Sequence, residues 1–255
     1  MEYKRVHPVI NIIKITRPKH ILKAFISPLN TCKAIKYHLR RVSQLSFITF
    51  LSTLFGQNQY IDDAYRDFKR NSGLWEEIQK ELSIYPGSYG LQMAQELPVL
   101  YILTRLMKPA IIVETGVSSG SSSAYILQAL HDNQKGKLYS IDLPPKNLPS
   151  GKKSGFVVPQ YLSSRWELRI GDSKDLLLPL LNDIGPIDSF IHDSLHTYDH
   201  MMFEFRTVWD FMRSPSLFLS HDVGRNKAFF DFMNEKQISW KDYRVYYVLG
   251  GFQKV

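Results

Sequence analysis

From residue 110 onward the chain alternates between short apolar runs and helical stretches, and this alternation limits the folds open to it. Apolar runs fall at 110–114, 138–142, 166–170, 187–192 and 216–220. Helix-period stretches fall at 121–132, 173–182, 198–213 and 226–237. Strands alternating with helices build a mostly parallel sheet with helices on both faces, because each parallel crossover needs a long connection. Two further β-rich runs, YRVYYVL and GFQKV with Gly250 and Gly251 between them, predict a C-terminal hairpin at the sheet edge. The polar segment from Pro144 to Ser164 is longer than an ordinary connection and reads either as disordered or as a functional lid.

Ligands of such sheets bind outside the carboxyl ends of the strands. The stretch VETGVSSGSSS, residues 113–123, takes the first apolar run into a helix through two glycines and a set of serines. Gly116 allows the turn, and Gly120 lets backbone approach a ligand at the helix start, whose amides can hold a carboxylate or phosphate. The spacing is E-x-G-x-x-x-G, with Ser118 where a dinucleotide fingerprint has its central glycine, which disfavours an NAD-dependent dehydrogenase. KLYSID ends in Asp142, an acid placed to accept hydrogen bonds from a ribose diol. WELRIGDSKDLL ends its strand at Asp172 and Ser173, placed to meet an adenine edge. Each acid also has an ordinary reading as a helix N-cap.

Taken together, VETGVSSGSSS, YSIDLP, LRIGDSKDLL, FIHDSLHTYDH and LFLSHDV resemble the class I S-adenosylmethionine-dependent methyltransferases over roughly residues 90–255. The likeness is greatest to the small-molecule O-methyltransferase branch, whose fourth strand ends in an Asp followed by His and Tyr. The resemblance implies a doubly wound, Rossmann-like α/β sheet of seven strands, order 3-2-1-4-5-7-6, with the last strand antiparallel. It implies that Gly116, Ser118, Gly120 and Ser122 surround the methionine part of S-adenosylmethionine, with Glu114 behind it. Asp142 then takes the ribose hydroxyls, and Asp172 with Ser173 takes the adenine.

IHDSLHTYDHMMFEF follows the fourth apolar run, so its polar residues belong to the same sheet edge. Asp193, His196 and Tyr198 match the branch, while Leu195 replaces its second acid. His196 is the candidate general base for an acceptor hydroxyl, or else a cap or loop histidine. Asp193 would stabilise the positive cofactor or orient His196. The fifth run ends at His221-Asp222, and related enzymes bind a divalent cation there. Asp193, Asp222 and His221 form the expected metal set, but His221 and Leu195 suit a hard cation poorly. His221 and Asp222 orienting each other or the substrate without a metal is the preferred reading.

The charge of +8 belongs to one end of the chain. Residues 1–41 carry ten Lys or Arg against one acid, a surplus of +9, so the remainder is close to neutral. Apolar residues at helical spacing in this arm (Ile21, Leu22, Phe25 and Ile26, then Cys32, Ile35, Leu39 and Val42) fit either an anionic membrane surface or packing on the chain's own domain. The expected organisation is a basic N-terminal helical arm or cap at 1–85 and a cofactor-binding domain at 86–255. Residues 60–82 read as polar helix broken at Asn71-Ser72-Gly73, and a further helix is expected at 91–107. No secretory signal is evident, FITFLSTLF is too short to span a bilayer, and Cys32 is the single cysteine, so a cytoplasmic enzyme is expected, with its arm either peripheral on a membrane or packed on its own domain. The expected activity is methyl transfer to a hydroxyl of a small molecule or of a sugar in a glycan or glycolipid. Two rivals are a metal-dependent hydroxylase on the same sheet and a non-enzymatic RNA-binding protein. Sparse aromatics among the basic residues speak against nucleic acid. The sequence leaves the oligomeric state open, a homo-oligomer included.

Overall fold

The computed structural model describes residues 49–52, 54–56, 59–85, 96–144, 148–239, 243–246 and 248–255. The basic arm, the loop at 86–90 and the first residues of the helix expected at 91–107 lie outside the described residues. Thr49–Val255 forms one compact unit that holds both the helices at 59–83 and the sheet.

Ahead of the sheet, the described residues include helical residues at 49–52 and 54–55 and then α1 (Gln59–Arg70), α2 (Ser72–Ser83) and α3 (Leu97–Met107). The sheet then alternates strand and helix: β1 (Ile111–Thr115), α4 (Ser121–Asp132), β2 (Lys137–Asp142), β3 (Trp166–Ile170), α5 (Ser173–Ile184), β4 (Ile187–His192), α6 (Tyr198–Trp209), β5 (Met212–Ser220), α7 (Ala228–Glu235), β6 (Tyr243–Tyr246) and β7 (Leu249–Lys254). The order across the sheet is β3-β2-β1-β4-β5-β7-β6. β1 to β5 pair in parallel, and β7 runs antiparallel between β5 and β6. The order reverses beside β1, where β2 and β4 flank it on opposite sides, which opens a crevice at the carboxyl edge.

Local chemistry sets the element ends. Lys108 takes a left-handed conformation ahead of Pro109 and stops α3. Asp172 caps α5 by accepting from the Lys174 amide at 2.9 Å. The helix expected at 198–213 ends at Trp209, because Met212 is drawn into pairing with Ile187 of β4. Gly250 and Gly251 lie inside β7 and not in the hairpin turn. A Cβ there would meet Val223 at 2.7 Å or Leu219 at 2.5 Å, so these positions serve close packing.

One face of the sheet is closed by α5, α6 and α7 around a phenylalanine cluster, in which the rings of Phe218 and Phe252 stack at 4.8 Å with Phe190, Phe205, Phe229 and Phe232 about them. Each fully buried side chain of this size contributes roughly 1.5–3 kcal/mol of burial. On the α4 side Trp75 of α2 stacks on Tyr125 at 4.0 Å, and Arg105 of α3 pairs with Asp67 of α1 at 2.6 Å. Among the described residues no helix is long and apolar enough to cross a membrane.

Candidate active site

β1 delivers Thr115 to the carboxyl edge, and the chain turns at Gly116 with φ +88°. A Cβ on Gly116 would lie 2.1 Å from the backbone oxygen of Asp193, so this glycine lets β1 and the end of β4 sit side by side. Gly120, φ +92°, starts α4. The expectation that Gly120 leaves room for a ligand is not met. The space beside it is filled by Gly155, whose Cα would be 2.6 Å from a Cβ. The segment 148–158 binds the turn by backbone hydrogen bonds, Gly155 N to Ser118 O at 2.9 Å and Val157 N to Ser119 O at 3.1 Å. The described part of the long polar segment is thus a strap packed on the glycine turn.

Glu114 is fully buried and accepts from Ser122 (2.7 Å), Ser123 (2.6 Å) and Ser140 (2.9 Å). Burial pushes its carboxyl up to about 7, against the opposing pull of these three hydroxyls. The Ser122 hydroxyl proton is therefore engaged by Glu114. Asp142, at the end of β2, accepts from the Ser118 amide at 3.1 Å. Asp172 caps α5 through Oδ1, and the Ser173 hydroxyl donates to Glu204 at 2.5 Å, which leaves Ser173 lone pairs but no proton to offer a ligand.

A cavity of about 890 Å³ lies over these strand ends, within the usual size range of ligand sites. Gly116, Ser118, Ser122, Asp142, Asp172 and Ser173 line one part of it, and Asp193, His196, His221 and Asp222 line another. His221 sits between two carboxylates, its Nε2 3.0 Å from Glu96 and its Nδ1 3.1 Å from Asp193. Burial alone would lower its pKa, but the two carboxylates raise it to about 10, so it is an imidazolium at neutral pH. His196 is different. Burial pulls its pKa below the ordinary value, Asp193 at 3.6 Å opposes this only in part, and its buried Nε2 has no hydrogen-bond partner.

Residues 113–223, less than half of the chain, match the sequence model of a family described as a methyltransferase domain. The strand order, with β7 antiparallel between β5 and β6, is that of the class I S-adenosylmethionine-dependent methyltransferase fold. Over residues 113–223 the chain is similar to a methyltransferase domain. A methyltransferase of Podospora anserina solved with S-adenosylhomocysteine superimposes with a TM-score of 0.53 at 16% identity, over 71% of this chain and 88% of that one. The O-methyltransferase TomG of Streptomyces achromogenes, involved in tomaymycin synthesis and solved with S-adenosylmethionine, gives 0.50 at 15%, over 81% and 95%. An O-methyltransferase of Bacillus cereus solved with S-adenosylhomocysteine gives 0.50 at 13%, over 81% and 96%. At such identities the likeness is one of fold. No curated protein sequence matches the chain.

Of the expected metal set, Asp193 lies 3.1 Å and Asp222 3.8 Å from the His221 Nδ1. Asp222 pairs with Arg225 at 3.0 Å, and the group whose donor atoms lie within 4.8 Å of one another is Asp193, His196 and His221. A cation bound there would have to displace the proton that pairs His221 with Asp193 and Glu96.

Two residues of the site escaped the sequence reading. Glu96, which accepts from the Val248 amide at 3.0 Å, brings the start of α3 to His221. Glu204 in α6 is completely buried and accepts from Thr115 (2.7 Å), His192 (2.6 Å), His200 (2.9 Å), Ser173 (2.5 Å) and Ser194 (2.9 Å). Burial would push its carboxyl up, but hydrogen bonds led by those of His192 and His200 hold it well below the ordinary range. The legible signal was an acid four residues after His200 on the helix face that also carries Met201, Phe205 and Val208.

Proposed function

We propose that the domain binds S-adenosylmethionine in the 890 Å³ cavity and transfers its methyl group to a hydroxyl of a small molecule, a sugar included, with His196 as general base. The observation that carries this reading is that the glycine turn, Asp142, Asp172 and His196 line one cavity at the sheet edge of a chain similar to a methyltransferase domain over residues 113–223. Known relatives of the fold bind this cofactor or its product.

When bound, S-adenosylmethionine supplies a sulfonium-activated methyl group. The protein then has to orient the reactants and remove one proton. Asp142 has the chemistry to accept hydrogen bonds from a ribose diol. His196, neutral near pH 7, can take the acceptor's hydroxyl proton at Nε2 as the oxygen bonds to the methyl carbon. Asp193, 3.6 Å away, favours the imidazolium that results. His221 and Glu96 hold Asp193 in place and exchange no proton in this scheme.

Calorimetry with S-adenosylmethionine tests the cofactor, and Asp142→Ala is expected to weaken binding about tenfold or more. No binding by the unchanged protein would sink the reading. His196→Ala is expected to lower kcat by about 10²–10⁴ with cofactor affinity kept; an unchanged kcat removes His196 from the chemistry. Two imidazoles and one carboxylate would also suit a metal-dependent hydroxylase. The double pairing of His221 argues against that alternative, and a stoichiometric transition metal in the purified protein would revive it.

A further inference from the structure

The two oxygens of Glu204 face different parts of the molecule. Oε2 accepts from Thr115 and the His192 Nδ1, both completely buried at the ends of β1 and β4. Oε1 accepts from Ser173, Ser194 and the His200 Nε2, and all three of these residues line the cavity. A serine hydroxyl has a single proton. Once that proton points at a carboxylate beneath the cavity, the oxygen can offer a ligand only lone pairs.

We propose that Glu204 is a positioning residue that fixes the hydrogen-bond polarity of the cavity floor, so that Ser173 and Ser194 accept from the ligand and do not donate. This rests on reading the cavity as the S-adenosylmethionine site. The ligand group selected is an N–H donor, and at Ser173, beside the third strand end, that group is the exocyclic amino group of the adenine. An amide in place of the carboxylate would break the rule, since Gln carries both a donor and an acceptor. In Glu204→Gln the new amide can donate to the Ser173 oxygen, and the serine proton is then free to turn toward a ligand carbonyl.

The test uses the full chain and two product analogues that differ at one group. S-adenosylhomocysteine carries the 6-amino group, and S-inosylhomocysteine carries a carbonyl oxygen there. The unchanged protein is expected to prefer the amino compound by about tenfold or more, because the inosine carbonyl would face serine lone pairs. In Glu204→Gln the preference is expected to fall below about threefold. A general loosening of the site weakens both ligands alike and leaves their ratio unchanged, and that result overturns the proposal. Glu204→Asp keeps a carboxylate and is expected to keep the preference. Should Glu204→Gln not fold, Ser173→Ala asks the same question with the carboxylate in place, and an undiminished preference there overturns the proposal equally. Failure of the unchanged protein to bind either compound marks the failure of the cofactor reading itself, whereas tight but equal binding of both defeats only the role of Glu204.

Discussion

Glu114 is an acid at the end of β1 that solvent does not reach, and its serines explain why that is tolerable. Three hydroxyls donate to it, and the Trp166 indole in turn donates to one of them, Ser140, at 2.9 Å. Its folded-state pKa of about 7 lies above the ordinary 4.5, so the fold binds the proton more tightly than the unfolded chain does. The sign follows: Glu114 contributes stability below about pH 4.5, and the contribution is lost as pH rises to about 7. The loss is on the order of 3 kcal/mol. Glu114→Gln should therefore gain stability relative to the unchanged protein at about pH 8 and show little difference at about pH 5, read from urea unfolding at both. An identical pH slope in the two proteins would remove Glu114 as its source. The serines of this motif were legible as short donors around a carboxylate. The carboxylate is the protein's own, a fact invisible until Ser140 from β2 arrives beside Ser122 and Ser123 from α4.

At the scale of elements, the glycine turn and the strap over it depend on each other. The strap reads in sequence only as a long polar connection, because backbone hydrogen bonds to Ser118 and Ser119 leave no mark in side-chain pattern. Gly120→Ala combines a positive φ with a Cβ 2.6 Å from Gly155, both backbone features that cannot swing aside. It is expected to cost about 1–3 kcal/mol and to open residues 148–158 to proteolysis. An unaltered denaturation midpoint together with an unaltered cleavage pattern would mean that the strap does not lean on this turn. Strands β1, β2 and β4 and the helices that follow β1 and β3, by contrast, were legible almost to the residue. Their apolar runs are largely buried and bounded by Gly, Pro or Asp, so period and punctuation agree.

Along the chain, the charge surplus and the packed body fall in different segments. Residues 1–48 hold the +9, and Thr49–Val255 is the compact unit that contains the cavity. A chain beginning at Thr49 is expected to bind S-adenosylmethionine within about threefold of the full chain by calorimetry, since every residue lining the cavity is retained. Loss of binding on this truncation would make the arm part of the site. The sequence by itself determined the alternation of strand and helix, the parallel sheet, and the row of acids at its carboxyl edge, because those follow from local periodicity and from chain direction. Only the tertiary structure decided what each polar group does. Glu96 reaches His221 from the start of α3, and Glu204 gathers donors from β1, α5 and the end of β4. A hydrogen bond between segments far apart in sequence is fixed by how the layers pack, and packing buries a carboxylate or turns a histidine into a cation without changing a letter of the sequence.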